Sequence, residues 1–357
     1  MHLEDGEIPE DYKRYIGRKI SLIIGGIFAV VILLIISISL GAVSIPVSGV
    51  VQTLLGEHIS TMWDATIWNI RLPQALCAIV AGAGLAVAGA AMQSILRNPL
   101  GSPFTLGISN AAAFGAAFSV MILGTGSMHS SAGDAITISN PYITTIVAFF
   151  FCILATVVIL AISKIRRASP EVMVLAGVAL GSLFSAGTMF LQYFADDNQL
   201  AAIVFWTFGD LARASWDELW LMAAVVGVAI IYFYYHRWNY NAIDAGDETA
   251  KGLGVNVERV RLFGMLVASF ITAIIVSFLG IIGFVGLVCP HIVRRIIGDD
   301  HRFLIPASCV TGALLLLVSD TVARLLLAPH VLPVAILTAF MGAPIFLYLL
   351  VRGGYAR

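Results

Sequence analysis

Few residues in this chain are of a type that does chemistry, and their spacing decides which chemistries are open. A P-loop needs GxxxxGK[ST], where backbone N–H groups and the lysine cradle phosphate. The four lysines, Lys13, Lys19, Lys164 and Lys251, follow tyrosine, arginine, serine and alanine, so that loop is not supplied. There is no HExxH pair and no GxSxG elbow, and the seven histidines are scattered singly, which leaves metalloprotease and serine-hydrolase chemistry without residues. Cys77, Cys152, Cys289 and Cys309 lie in apolar runs without CxxC spacing and read as small buried hydrophobes. The chain is therefore expected to hold no catalytic group, no metal and no cofactor. One ionisable side chain stands inside an apolar stretch, Asp320, four residues before Arg324. A carboxylate at membrane depth serves proton-coupled transport or, at this spacing from a cation, an ion pair anchoring a helix end; the spacing favours the pair.

These residues are carried by a chain of 357 residues that is 59% hydrophobic and 11% charged, with a mean hydropathy of +0.96. A soluble core cannot bury that much apolar surface, so the composition is that of an all-α polytopic membrane protein. Twenty basic residues against 21 acidic ones give a net charge of −1, which excludes a nucleic-acid binder. A hydrocarbon core about 30 Å thick needs roughly 20 apolar residues per helix. On that ruler ten spans are expected, near Ile20–Val43, Leu72–Leu96, Phe104–Leu123, Tyr142–Ser163, Val172–Phe194, Leu219–Tyr235, Leu262–Leu279, Ile281–Ile297, Leu304–Ala323 and Val331–Val351. Residues 1–19 read as a polar tail and 20–352 as one helical domain. Gly280, Gly283, Gly286 and Pro290 punctuate the eighth span, which is expected to be short or broken.

Lys and Arg are retained on the cytoplasmic side. With ten spans and the tail inside, only Arg71, Arg213 and Arg324 fall outside and the other 17 of the 20 basic residues fall inside. This split puts both termini in the cytoplasm, in the cell membrane. Close packing is expected where Ala78, Gly82, Ala86 and Ala90 repeat every fourth residue on one helical face. Two inner stretches are too charged for simple turns. In Asn239–Arg261 the run Asp247-Glu248-Thr-Ala-Lys251 has the acid-to-base order of a short surface helix, ended by Gly252 and Gly254. The second, Gly298-Asp-Asp-His-Arg302, is closed by Pro306. Both read as solvated loops or as docking surfaces for a motor the chain lacks.

Several segments together resemble the FecCD family of ABC-importer permeases. They are Arg71-Leu-Pro-Gln74, the run Ala81–Gln93, Arg97-Asn-Pro-Leu-Gly-Ser-Pro103, Trp206-Thr-Phe-Gly-Asp-Leu211, Gly283–His291, Asp300-His-Arg302 and Leu332–Ala339, in family order from about Arg18 to Arg352.

The resemblance implies a homodimer of ten-helix subunits in the bilayer, with a path along its two-fold axis, two ATP-binding subunits below and an extracytoplasmic substrate-binding protein above. It implies that Arg71 and Arg324 are sockets for acidic residues of the binding protein. Gln74 stands where a second arginine is common, and Arg213 is a possible substitute. Asp247, Glu248 and Lys251, with Asp300, His301 and Arg302, fall on the stretches that couple to the ATPase. Ser182, Ser185, Met189 and Gln192 of the fifth span are the candidates for the path, competing with plain packing, and Ser169, Pro170 and Glu171 occupy the inner gate. If the outer acids Asp196, Asp197, Asp210, Asp217 and Glu218 faced the path, they would repel an anionic chelate. Ferric siderophore or haem is the expected cargo and cobalamin the alternative. The competing class, a secondary transporter or channel, would require ion-coupling residues at mid-membrane.

Overall fold

A computed structural model describes residues 10–41, 43–128, 136–138, 140–165, 169–327 and 330–352. In chain order the helices are α1 (Glu10–Ser39), α2 (Val47–Leu54), α3 (Thr61–Thr66), α4 (Leu72–Ile95), α5 (Ile108–Ile122), α6 (Pro141–Ile165), α7 (Pro170–Phe194), α8 (Asp197–Thr207), α9 (Trp216–Tyr235), α10 (Arg237–Asp244), α11 (Asp247–Gly252), α12 (Val257–Leu279), α13 (Val285–Ile297), α14 (His301–Leu326) and α15 (Val334–Arg352). One short antiparallel pair, β1 (Gly126–Met128) with β2 (Ile136–Ile138), joins α5 to α6. Each of the ten expected spans is a helix. Among the described residues seven helices are long and apolar enough to cross a membrane, α3 and α4 counting as one through the wide turn Ile67–Arg71. The other three are α5, α13 and α15.

The helix α4 is the hub. Of its apolar window 78% is buried, against 6% in α1, so α4 is wrapped by protein while α1 turns Ile24 and Phe28 outward. Ala78, Gly82, Ala86 and Ala90 are all buried, as the four-residue repeat predicts. Gly82 meets Gly312 of α14 and Gly89 meets Gly286 of α13, so closely that a Cβ at either α4 position would overlap a facing backbone carbonyl. Without water to exclude, helices in lipid associate through such contacts.

The eighth span is short, as expected. α13 has 13 residues, about 20 Å at 1.5 Å per residue, and follows a non-helical stretch from Gly280 to Phe284. Gly280 and Phe284 both have positive φ. Open backbone at this depth is tolerated because protein covers it: Leu279 O accepts from Asp210 N at 2.8 Å, and Gly280 and Ile282 are buried.

Several boundaries differ from the sequence reading, three of them with a consequence for the inner end. The described part of the polar tail continues α1 from Glu10. α12 begins at Val257, five residues early. Pro306 lies inside α14, because Asp300 caps that helix and His301 starts it. The short helices α2, α3 and α8 are not among the expected elements.

Candidate functional site

The three outer arginines gather at one end of the bundle, where each guanidinium closes the C-terminal end of a helix. The last carbonyls of a helix lack intrahelical donors and carry its negative dipole end. Arg71, 5% exposed, donates from Nη1 to Ile38 O at 2.7 Å and to Ser39 O at 3.2 Å, and from Nη2 to Val43 O. Arg324 donates from Nη2 to Ser37 Oγ at 2.7 Å and from Nε to Asp320 Oδ2 at 3.0 Å. Asp320 Oδ1 accepts from Gln74 Nε2 at 2.9 Å, so the i,i+4 pair expected from spacing is present and gains a third partner. On α8, Arg213 donates to Phe205 O at 2.6 Å, Phe208 O at 3.0 Å and Trp206 O at 3.1 Å.

Within the chain all three guanidiniums are thus engaged. Arg71 and Arg324 face the end of α1, and Arg213, though exposed, spends its terminal nitrogens on α8. Gln74 fits the cluster by its own bond to Asp320, not as a missing arginine. The acidic rim is likewise occupied by helix starts. Asp196 and Gln199 form a capping box on α8, Asp210 Oδ1 accepts from Ala212 N at 2.9 Å, and Glu218 accepts from Ser215 N at 2.8 Å.

At the opposite end α10 and α11 form the short helical pair expected from Asn239–Arg261. The pairing inside it differs. Lys251 reaches Glu248 at 2.7 Å, while Asp247 takes two 2.7 Å bonds from Arg261 of α12, whose Nε also donates to Ile95 O at 3.1 Å. Arg261 is buried, so Asp247 neutralises a cation that could not stay unpaired.

Beside it, Asp244 accepts from His301 Nε2 at 2.9 Å and from Ser94 Oγ at 3.1 Å, and lies 3.7 Å from Arg294. Burial alone would raise the Asp244 carboxyl; the His301 bond and charge, with Arg294 and Ser94, outweigh it and leave the group below its ordinary value. His301 is fully buried and ties α14 to α10 and α4. Asp300 caps α14, accepts from Arg302 Nε at 2.8 Å and from Asn241 Nδ2 at 3.1 Å, and these bonds overcome burial to pull its carboxyl down to about 2.

The path candidates divide. Ser182, Ser185 and Met189 line a cavity of about 410 Å³ with Phe104, Thr105, Gly107 and Asn110, while Gln192 lies outside it. Gly107, at φ 76°, packs on Gly177 and Gly181 of α7, and Asn110 Nδ2 donates to Gly181 O at 3.2 Å. The gate candidates cluster elsewhere. Ser169 caps α7, Pro170 opens it, and the Ser169 hydroxyl bonds the Glu171 carboxylate. All three line a cavity of about 530 Å³ with Leu96, Arg97, Asp247 and Arg261, which brings gate and coupling candidates together. Arg97, Arg261, Gln93, Ser94 and Arg294 escape sequence reading because their partners arrive from other helices. Among the described residues no group of three or more His, Cys, Asp or Glu side chains is placed to hold a metal.

The FecCD transport family model matches residues 29–352. A candidate ABC transporter permease of Methanocaldococcus jannaschii is 56% identical over 352 residues, covering 97% of this chain and 98% of that one. The hemin transport permease of Yersinia pestis is 36% identical over 90% of this chain and 92% of its own length, and the vitamin B12 import permease of Salmonella typhi is 34% identical over 83% and 87%. Among solved structures, an inward-facing candidate metal-chelate type ABC transporter superposes with a TM-score of 0.81 at 29% identity, over 93% of this chain and 99% of that one. With ten helices in the expected order, a buried small-residue hub and relatives matching nearly end to end, the chain is a multi-pass membrane permease that belongs to the FecCD transport family.

Proposed function

We propose that the chain is the membrane-spanning subunit of a binding-protein-dependent ABC importer that moves an iron chelate, ferric siderophore or haem, inward. It works as a homodimer, with two ATP-binding subunits at the α10–α11 end and a substrate-binding protein at the Arg71–Arg324 end. The observation that carries this reading is the face of α7. Ser182 and Met189 are exposed there, with Ser185 half-buried, around a cavity that stands open among the described residues. Serine hydroxyls facing hydrocarbon lose their water bonds; a second copy across a two-fold axis would turn the cavity into a passage. With the α10–α11 end in the cytoplasm, the start of α1 and the end of α15 lie there too, and the domain runs over 20–352. The iron assignment draws on the Yersinia relative, named for hemin. Cobalamin is the alternative, on the Salmonella relative. A secondary transporter is disfavoured because Asp320, the carboxylate within an apolar span among the described residues, is fixed near a helix end between Gln74 and Arg324.

The test is ATPase stimulation in reconstituted vesicles. Adding the loaded binding protein is expected to raise hydrolysis by the complex several-fold. Hydrolysis indifferent to the binding protein, loaded or empty, would refute the reading.

A further inference from the structure

Arg97 occupies a position that its backbone does not favour. α4 ends at Ile95, Asn98 N donates back to Gln93 O at 3.0 Å, and Arg97 N donates to Ser94 O at 3.1 Å. This is the helix ending whose left-handed residue is usually glycine. Here that residue is arginine, at φ 46°. A side chain kept at such a cost in backbone conformation is expected to have a role of its own. Its contacts in this conformation are slight. The guanidinium is about half-exposed, at 49%, and makes one loose ion pair, 3.8 Å from Asp247, a carboxylate that Arg261 already neutralises.

What distinguishes Arg97 is its place between elements. It is shared by two polar cavities at this end of the bundle. One, of about 530 Å³, holds Glu171, Asp247 and Arg261; the other, of about 470 Å³, holds Gln93, Asp244, Arg294 and Asp299. From Arg97 the chain runs through Pro99 and Pro103 to Phe104, Thr105 and Gly107, the wall of the α7 cavity. That connection is stiff. Besides its prolines, Ser102 N donates to Thr105 Oγ1 at 3.0 Å and Thr105 Oγ1 donates to Ser102 O at 2.9 Å. Asp247 on α11 is thus tied to the end of α4 through Arg261 and Ile95 O, and to the chain that leads to the cavity wall through Arg97.

We propose that Arg97 is the positioning residue that couples movement of α11 to the wall of the α7 cavity, following the Asp247 carboxylate as the ATPase moves it. The inference rests on the permease reading above and adds the element through which force enters the path.

Substitution to glycine separates this role from a structural one, because Arg97→Gly removes the cation while relieving the left-handed backbone. In the complete transporter reconstituted with its ATPase and binding protein, uptake of ferric citrate and of haemin is measured per ATP hydrolysed. R97G is expected to keep its thermal midpoint and its ATP hydrolysis while uptake per ATP falls about tenfold, and R97K to recover most of it. Wild-type uptake per ATP in R97G would overturn the inference alone. An equal loss in both variants with a lowered thermal midpoint would also overturn it, in favour of a purely structural role. If the unsubstituted transporter shows no ATP-driven uptake of either chelate or of cobalamin, the proposed chelate import fails and this inference, which rests on it, with it.

Discussion

At Arg71 a single guanidinium supplies donors to Ile38, Ser39 and Val43; its removal takes these bonds from the Ile38 and Val43 carbonyls, while Ser39 O still accepts from Ile45 N at 3.1 Å. Hydrogen bonds to charged groups are each worth about 1.5–3 kcal/mol. Arg71→Ala is expected to lower stability by about 2–3 kcal/mol, read as a drop in the thermal midpoint of the detergent-purified protein; an unchanged midpoint would return Arg71 to a purely external role. At the other end the Asp300 carboxyl, drawn down from its ordinary 3.8 to about 2, stabilises the start of α14 fully above about pH 4. That contribution is lost as pH falls through the folded value, because the proton then binds the unfolded carboxyl more tightly. Trp238 reports it, since the Arg302 guanidinium that pairs with Asp300 lies 5.1 Å from the Trp238 ring. Its fluorescence is expected to change between pH 4 and 2, and Asp300→Asn to remove that step. Some of this chemistry is legible in the sequence. Asp320 and Arg324 pair because both stand on one helix face. Asp247 and Lys251 have the same spacing, yet Asp247 turns to Arg261, which comes from α12 and cannot be seen from spacing along α11.

Among the elements, the repeat Ala78, Gly82, Ala86, Ala90 shows in the sequence that α4 is closely approached, but not by which neighbours. The crossings at Gly312 and Gly286 require the folded chain. Gly82→Leu and Gly89→Val are expected to push α14 and α13 away and to abolish monodisperse protein after detergent extraction. Gly227, in α9, has open space around its Cβ direction, so Gly227→Ala serves as the contrast. It is expected to be neutral or to stabilise by up to about 1 kcal/mol through helix propensity. Recovery of all three variants at wild-type yield would contradict close packing as the basis of the hub. The long spans are readable because hydrophobic length is a strong signal. α8 is not, because its 11 residues lie between a capping Asp196 and the arginine-closed end at Phe208, and its identity is set by those caps.

For the whole molecule the scarce charges are sorted to the two ends, and what they do there differs from end to end. The arginines around Arg71 and Arg324 seal helix termini. Those around Asp244 and Asp247, with His301, join α4, α10, α11, α12, α13 and α14. Between the ends, α7 leaves a small-residue and serine face exposed. The number of spans and their order could be read from hydropathy and from the sidedness of lysine and arginine. The use of the outer arginines could not, because burial of Arg71 depends on how the end of α1 folds over it. On the proposed function, cargo crosses on energy from ATP and not from an ion gradient. Uptake of ferric citrate or haemin into vesicles holding the complete transporter, with ATP present or absent and ionophores added or omitted, tests it most directly. Uptake is expected to require ATP and to survive ionophores; uptake that persists without ATP and collapses with ionophores would contradict the account.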